Sequence, residues 1–251
     1  MDNRVRGVPH SFFFYPKAYA LIGVLSAVSP VGEAAEVLLI GDSISLEYWV
    51  RVQNGSSPAD NVFHINENAL TSSNGVAKID SWLDSPHYWD APLGEVVAVP
   101  PRPWNIIHFN LGLHDITRLP DKSGPPATTV SDYSNNLRAI IGAMRAHSPS
   151  ATLIFATSTP ILAQPNRLVE DVSLYNAAAA TLMEEEGIFV NDLYTEMLPF
   201  VDEYSRDGTH FTAEGSTLNA QNVVSAINSV PEPSGALQTV FSTLLLLRRR
   251  R

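Results

Sequence analysis

Five stretches of nearly unbroken apolar residues mark the middle of the chain: EVLLIG (36–41), NVFHIN (61–66), WNIIHFNLG (104–112), ATLIFATS (151–158) and GIFVND (187–192). They do not alternate cleanly between apolar and polar. That pattern belongs to strands buried on both faces, as in a parallel sheet. Between them the apolar period lengthens to that of a helix. In 130–147, Tyr133, Leu137, Ile140, Ile141 and Met144 fall on one face, with Ser131 or Asp132 available as a cap. Residues 168–187 are alanine-rich and stop at Gly187, and 212–229 form a final helix capped by Thr212. Strand and helix in alternation predict a doubly wound α/β sandwich over 35–229, built on a mainly parallel five-stranded sheet. The longest stretches with neither pattern are 85–103 and 118–129. Irregular segments of that length often shape a binding site.

The two ends break the pattern. Residues 1–34 carry Arg4, Arg6 and Lys17, then a short apolar run, then small residues at Gly32 and Ala34. This is the order of an export signal, with cleavage expected before Ala35 by signal peptidase. The last 22 residues, 230–251, hold Pro231-Glu232-Pro233, a mostly apolar run to Leu247, and four arginines. The run is shorter than the ~20 residues that span a bilayer, and the arginines would hold that end at the cytoplasmic face. This tripartite tail resembles the PEP-CTERM sorting signal of exopolysaccharide-producing Gram-negative bacteria. The resemblance implies transient membrane association, processing by an exosortase, and delivery to the cell envelope or extracellular matrix.

Composition narrows the partners. The 251 residues are 45% hydrophobic, enough for one domain with a substantial core. Net charge is −10, but seven of the 16 basic residues and only three of the 26 acidic ones lie in the two ends. The middle, with 9 basic and 23 acidic residues, therefore carries −14. Phosphate backbones would be repelled, which argues against nucleic acid. A polyanionic substrate is disfavoured too, unless a local basic group offsets the charge. The chain has no cysteine, so disulfides, Cys-ligated zinc and thiol chemistry are absent.

The first apolar run stops at Gly41-Asp42-Ser43, and a helix pattern begins there. Ser43 is either the cap of that helix or a nucleophile at a strand end, where ligands bind in open α/β sheets. A serine nucleophile needs a base, an acid to orient it, and donors for an oxyanion. SRDGTHFTAEG supplies the first two: Asp207 lies three residues before His210, just ahead of the final helix. Asn110 ends the third run and offers an amide. Gly75, after the second run and before a helix-like segment, offers a backbone N–H that a substrate can approach closely. The N–H of Ser43 is the third donor. The Asp-Gly step at Asp207 is also plain turn chemistry, and Asp42 is expected to brace the turn after the first strand.

These residues, in this order, resemble the SGNH or GDSL-type hydrolases: Ser43 in Gly-Asp-Ser, then Gly75, then Asn110 in NLGLHD, then His210 in Asp-x-x-His. The resemblance spans about residues 36–228. It implies a flavodoxin-like three-layer α/β/α fold, no metal or other cofactor, and ester hydrolysis through an acyl-serine intermediate. Losing one oxyanion donor would cost about 3 kcal/mol of transition-state stabilisation. His114 stands where the family usually has Asn and, with Asp42, is a candidate for the substrate pocket. His114-Asp115 is also a conceivable rival dyad or metal pair, but no second pair has suitable ligand spacing. His64 and His108 lie in strands and read as core residues. Trp82, Trp89 and Trp104 are either sugar-stacking or packing aromatics. The resulting expectation is a serine esterase removing small acyl groups, such as acetyl, from a carbohydrate or another acylated small molecule. An O-acyltransferase with the same triad and a silent carbohydrate-binding matrix protein are the alternatives.

Overall fold

The structure, a computed structural model, describes residues 34–57, 60–85, 87–90 and 95–230. Apart from Ala34 and Val230, the expected export signal and sorting tail lie outside the described residues.

Each of the five apolar runs contains a strand: β1 (Glu36–Ile40), β2 (Asn61–Ile65), β5 (Ile106–Phe109), β6 (Thr152–Ala156) and β7 (Phe189–Asn191). They pair in parallel in the order β2-β1-β5-β6-β7. Among the described residues the sheet has seven strands, not the expected five. The other two, β3 (His87–Asp90) and β4 (Glu95–Ala98), form an antiparallel hairpin that extends the β2 edge, within the segment expected to be an irregular loop. Aromatic packing holds it there: Tyr88 sits edge-on to Trp104 at 5.2 Å, and Phe63 of β2 lies 6.2 Å from Tyr88. The Tyr88 hydroxyl also bonds the carbonyls of Trp82 and Leu83.

The helices cover both faces. α2 (Ser72–Leu83), α3 (Val130–His147) and α4 (Val169–Glu186) pack in sequence on one side. α1 (Ser43–Gly55) packs with α7 (Ala213–Ser229), and α7 also contacts the short α5 (Leu193–Met197); the single turn α6 (Val201–Tyr204) lies between α5 and α7 in the chain. The expected apolar face of α3 is buried, but its cap is Thr129, whose hydroxyl accepts from Asp132 N, rather than Ser131 or Asp132. Gly187 ends α4 with φ of 64°, and Thr212 caps α7.

This order reverses between β1 and β5: the chain leaves β1 toward β2 on one side and returns to β5 on the other. Ligands in such sheets bind beyond the strand ends at that reversal. Pairing of Ile40 with Phe109 puts Gly41 and Asn110 side by side there.

Candidate active site

The turn after β1 is tight for a steric reason. A Cβ on Gly41 would lie 2.5 Å from Ser45 Oγ. Asp42 is the N-cap of α1: its Oδ1 accepts from Ile44 N at 3.0 Å. Ser43 is thus not the cap but the first helical residue. Its N–H, in the first turn, has no intrahelical acceptor, and it sits at the positive end of α1.

His210 reaches Ser43 from a separate loop. Ser43 Oγ is 2.9 Å from His210 Nε2, and His210 Nδ1 is 2.8 Å from Asp207 Oδ2. The other Asp207 oxygen accepts the backbone N–H groups of His210 (2.8 Å) and Thr209 (3.0 Å). The His210 backbone N–H is the largest of the influences that hold the Asp207 carboxyl well below its ordinary range. An ionised Asp207 fixes the proton on Nδ1 and leaves Nε2 as the acceptor of the Ser43 proton. The loop closes through Gly208, whose φ of 87° favours glycine. Leu162 N donates to Gly208 O at 2.8 Å, and Gln164 Nε2 to Asp207 O at 2.9 Å.

Two further contacts set the loop against α1. Glu47, one turn beyond Ser43, accepts from Phe211 N at 3.1 Å and pairs with Arg206. Neither Glu47 nor Arg206 was a candidate in the sequence. The spacing of four residues from Ser43 places Glu47 near the Ser43 end of α1, but nothing in the sequence marks its partner.

Asn110 is buried, and its Nδ2 donates to Ala156 O at 2.7 Å. That bond uses one amide proton and leaves the second. Gly75 requires a correction. It lies inside α2, its N–H donates to Thr71 O at 3.0 Å, and a Cβ there would lie 2.8 Å from Ile140 Cδ1 of α3. Gly75 lets two helices approach closely; its N–H is committed to the helix and is not an oxyanion donor. The helix begins earlier than expected because Thr71 caps it.

Asp42 is fully buried, and burial pushes its carboxyl above the ordinary range. The charges of His114 and Arg167 act against that rise. His114 is half-buried beside Asp42, and burial lowers its imidazole. It does not form a dyad with Asp115: the Asp115 carboxylate accepts from Ser72 N at 3.0 Å and Ser72 Oγ at 2.6 Å, tying α2 to the segment after β5. Among the described residues no group of three or more His, Asp or Glu is arranged to hold a metal. His64 and His108 are buried, and burial lowers them to about 4 and about 3. Trp82 and Trp104 are buried and Trp89 packs on Trp49, so all three serve packing. A cleft of about 300 Å³ between β7 and α7 contains none of the residues around Ser43.

A serine, an imidazole and a carboxylate linked in series at the reversal point of a parallel α/β sheet define a hydrolase-type site. The chain belongs to the GDSL-like lipase/acylhydrolase family, whose model matches residues 39–218. A lipolytic G-D-S-L family protein from Veillonella parvula shares the fold with a TM-score of 0.60 and 19% identity, covering 78% of this chain and 100% of its own. An acetylxylan esterase from Geobacillus stearothermophilus matches with a TM-score of 0.60 and 14% identity, covering 78% and 95%. A carbohydrate acetylesterase from Sinorhizobium meliloti matches at 0.58 and 13%, covering 78% and 99%. A sequence search of curated proteins found no match.

Proposed function

We propose that the protein is a serine esterase that removes small acyl groups, acetyl foremost, from a carbohydrate. The hydrogen-bonded series Ser43–His210–Asp207 carries this reading. Ser43 Oγ attacks the ester carbonyl carbon while its proton passes to His210 Nε2. The Ser43 N–H and the free amide proton of Asn110 stabilise the oxyanion. The C–O bond to the alcohol breaks as His210 returns the proton to the leaving oxygen. Water then attacks the acyl-serine, with His210 again taking and returning a proton. Asp207 keeps the imidazole in the required tautomer throughout. The carbohydrate assignment draws support from two fold neighbours named as acetylxylan and carbohydrate acetyl esterases.

In this proposal residues 1–34 direct export and 230–251 direct envelope sorting by an exosortase, which would place the enzyme beside extracellular polysaccharide. Acetate release from an acetylated oligosaccharide, by the native protein and Ser43→Ala in parallel, tests the reading. Turnover by the native protein alone supports it; equal rates contradict it.

A further inference from the structure

One charged side chain beside the triad is not used by the hydrolytic steps. Arg167 is half-buried. Its Nη1 donates to Thr209 Oγ1 at 3.2 Å and its Nε to Thr117 Oγ1 at 3.2 Å. Thr209 directly precedes His210, and Thr117 lies three residues beyond His114. The guanidinium therefore bridges the loop that carries the triad's base and the loop that follows β5.

Both partners are neutral. A guanidinium has five N–H donors, and only these two bonds are made, so three donors have no acceptor among the described residues. Arg118, on the loop that follows β5, shows the contrast. Its Nε and Nη2 meet Asp171 Oδ2 at 2.9 and 2.8 Å, and its Nη1 donates to Gly124 O at 2.8 Å. Arg118 is a structural pin with its carboxylate already in place. Neither acid that faces Arg167 is hydrogen-bonded to it: Asp207 is engaged with His210, and Asp42 accepts only from Ile44 N, through Oδ1, while its Oδ2 is buried without a partner among the described residues. Withdrawing a guanidinium from water without a hydrogen-bonded anion is unfavourable. A planar fork with open donors fits a carboxylate.

We infer that Arg167 receives a carboxylate carried by the natural substrate, which makes that substrate an acylated acidic sugar. This rests on the esterase reading above. The −14 charge of the middle of the chain does not forbid it. Exposed charges farther than about 8 Å are largely screened at physiological salt, whereas Arg167 acts at contact.

The test uses two esters that differ at one carbon: a mono-O-acetylated methyl glucuronoside and the corresponding methyl glucoside. Acetate release is measured for the native protein, Arg167→Gln and Arg167→Lys, with p-nitrophenyl acetate as a sugar-free control for the native protein. The native protein should favour the acidic ester by about 10-fold or more in kcat/KM, mainly through KM. Arg167→Gln should bring the ratio to near one, and Arg167→Lys should keep part of the preference. Equal native rates on the two sugars, or a preference that survives Arg167→Gln, would overturn the inference. If p-nitrophenyl acetate is still hydrolysed in that case, the esterase reading stands and only the acidic substrate falls. Failure on all three esters would remove both.

Discussion

Two aspartates near Ser43 are set to different tasks by their surroundings. Asp207 is 55% exposed at its side chain, accepts two backbone N–H groups and the His210 imidazole, and stays ionised. Asp42 is sealed beneath the turn, caps α1, and is pushed toward its neutral form by burial. Only the first is placed to orient a base. Asp207→Asn should therefore reduce kcat strongly, by up to about 10⁴-fold, through loss of the productive tautomer. Asn110→Ala should cost about 100-fold in kcat with little change in KM, since it removes a donor used in the transition state; steady-state kinetics on p-nitrophenyl acetate reads both. Ser43, Asp207 and His210 were visible in the sequence because each sits at the end of a strand-like run or the start of a helix, with turn residues around it. Gly75 was misread because a glycine after a strand suits a loop donor and a helix contact equally well, and Thr71 decides between them by starting α2 early. Arg167 carried no local signal: its place depends on how two irregular loops lie over the sheet.

At the scale of elements, the site depends on two cross-links. Asp115 anchors the start of α2 through Ser72, and Asn136 of α3 donates to the Ser72 hydroxyl at 3.0 Å. Asp115→Ala leaves a buried N–H and hydroxyl without their acceptor. It should destabilise the protein by at least about 2 kcal/mol, or about 4–8 °C in Tm, seen by thermal unfolding. Glu47 instead holds the His210 loop against α1. Glu47→Ala should lower kcat by about tenfold while Tm moves little, because the contact is half-exposed and sets a distance rather than a core. The parallel strands were legible because each lies in a nearly unbroken apolar run, α3 because of its apolar period, and α4 from its alanine-rich run and the stop at Gly187, although its N-cap, Leu168, makes no side-chain bond. The β3–β4 hairpin was not: its strands have four residues each, and those of β4 are mostly exposed, so no buried run announces them.

For the whole molecule, the doubly wound sheet brings residues 43, 110 and 210 together although they are far apart in sequence. It also buries two neutral histidines. His108 is held at about 3, below its ordinary 6.5, and accepts from Asn191 Nδ2 at 3.2 Å. The unfolded chain binds a proton as pH falls through 6.5, and the folded chain does not until about 3. Stability is therefore lost as pH falls across that window. Relative to His108→Met, in which the effects of Asp42 and Asp115 cancel, the native protein should lose about 1.4 kcal/mol per pH unit below 6.5 in urea unfolding. A constant difference between the two proteins would show that His108 is not held neutral.

In the proposed reaction Ser43 becomes acylated, and every other step depends on that one. The most direct measurement is the intact mass of the protein, acid-quenched during turnover of p-nitrophenyl acetate, followed by peptide mapping. A gain of one acetyl group is expected, located on Ser43 and absent from Ser43→Ala. Turnover with no adduct on Ser43, or an equal adduct in the variant, would contradict it.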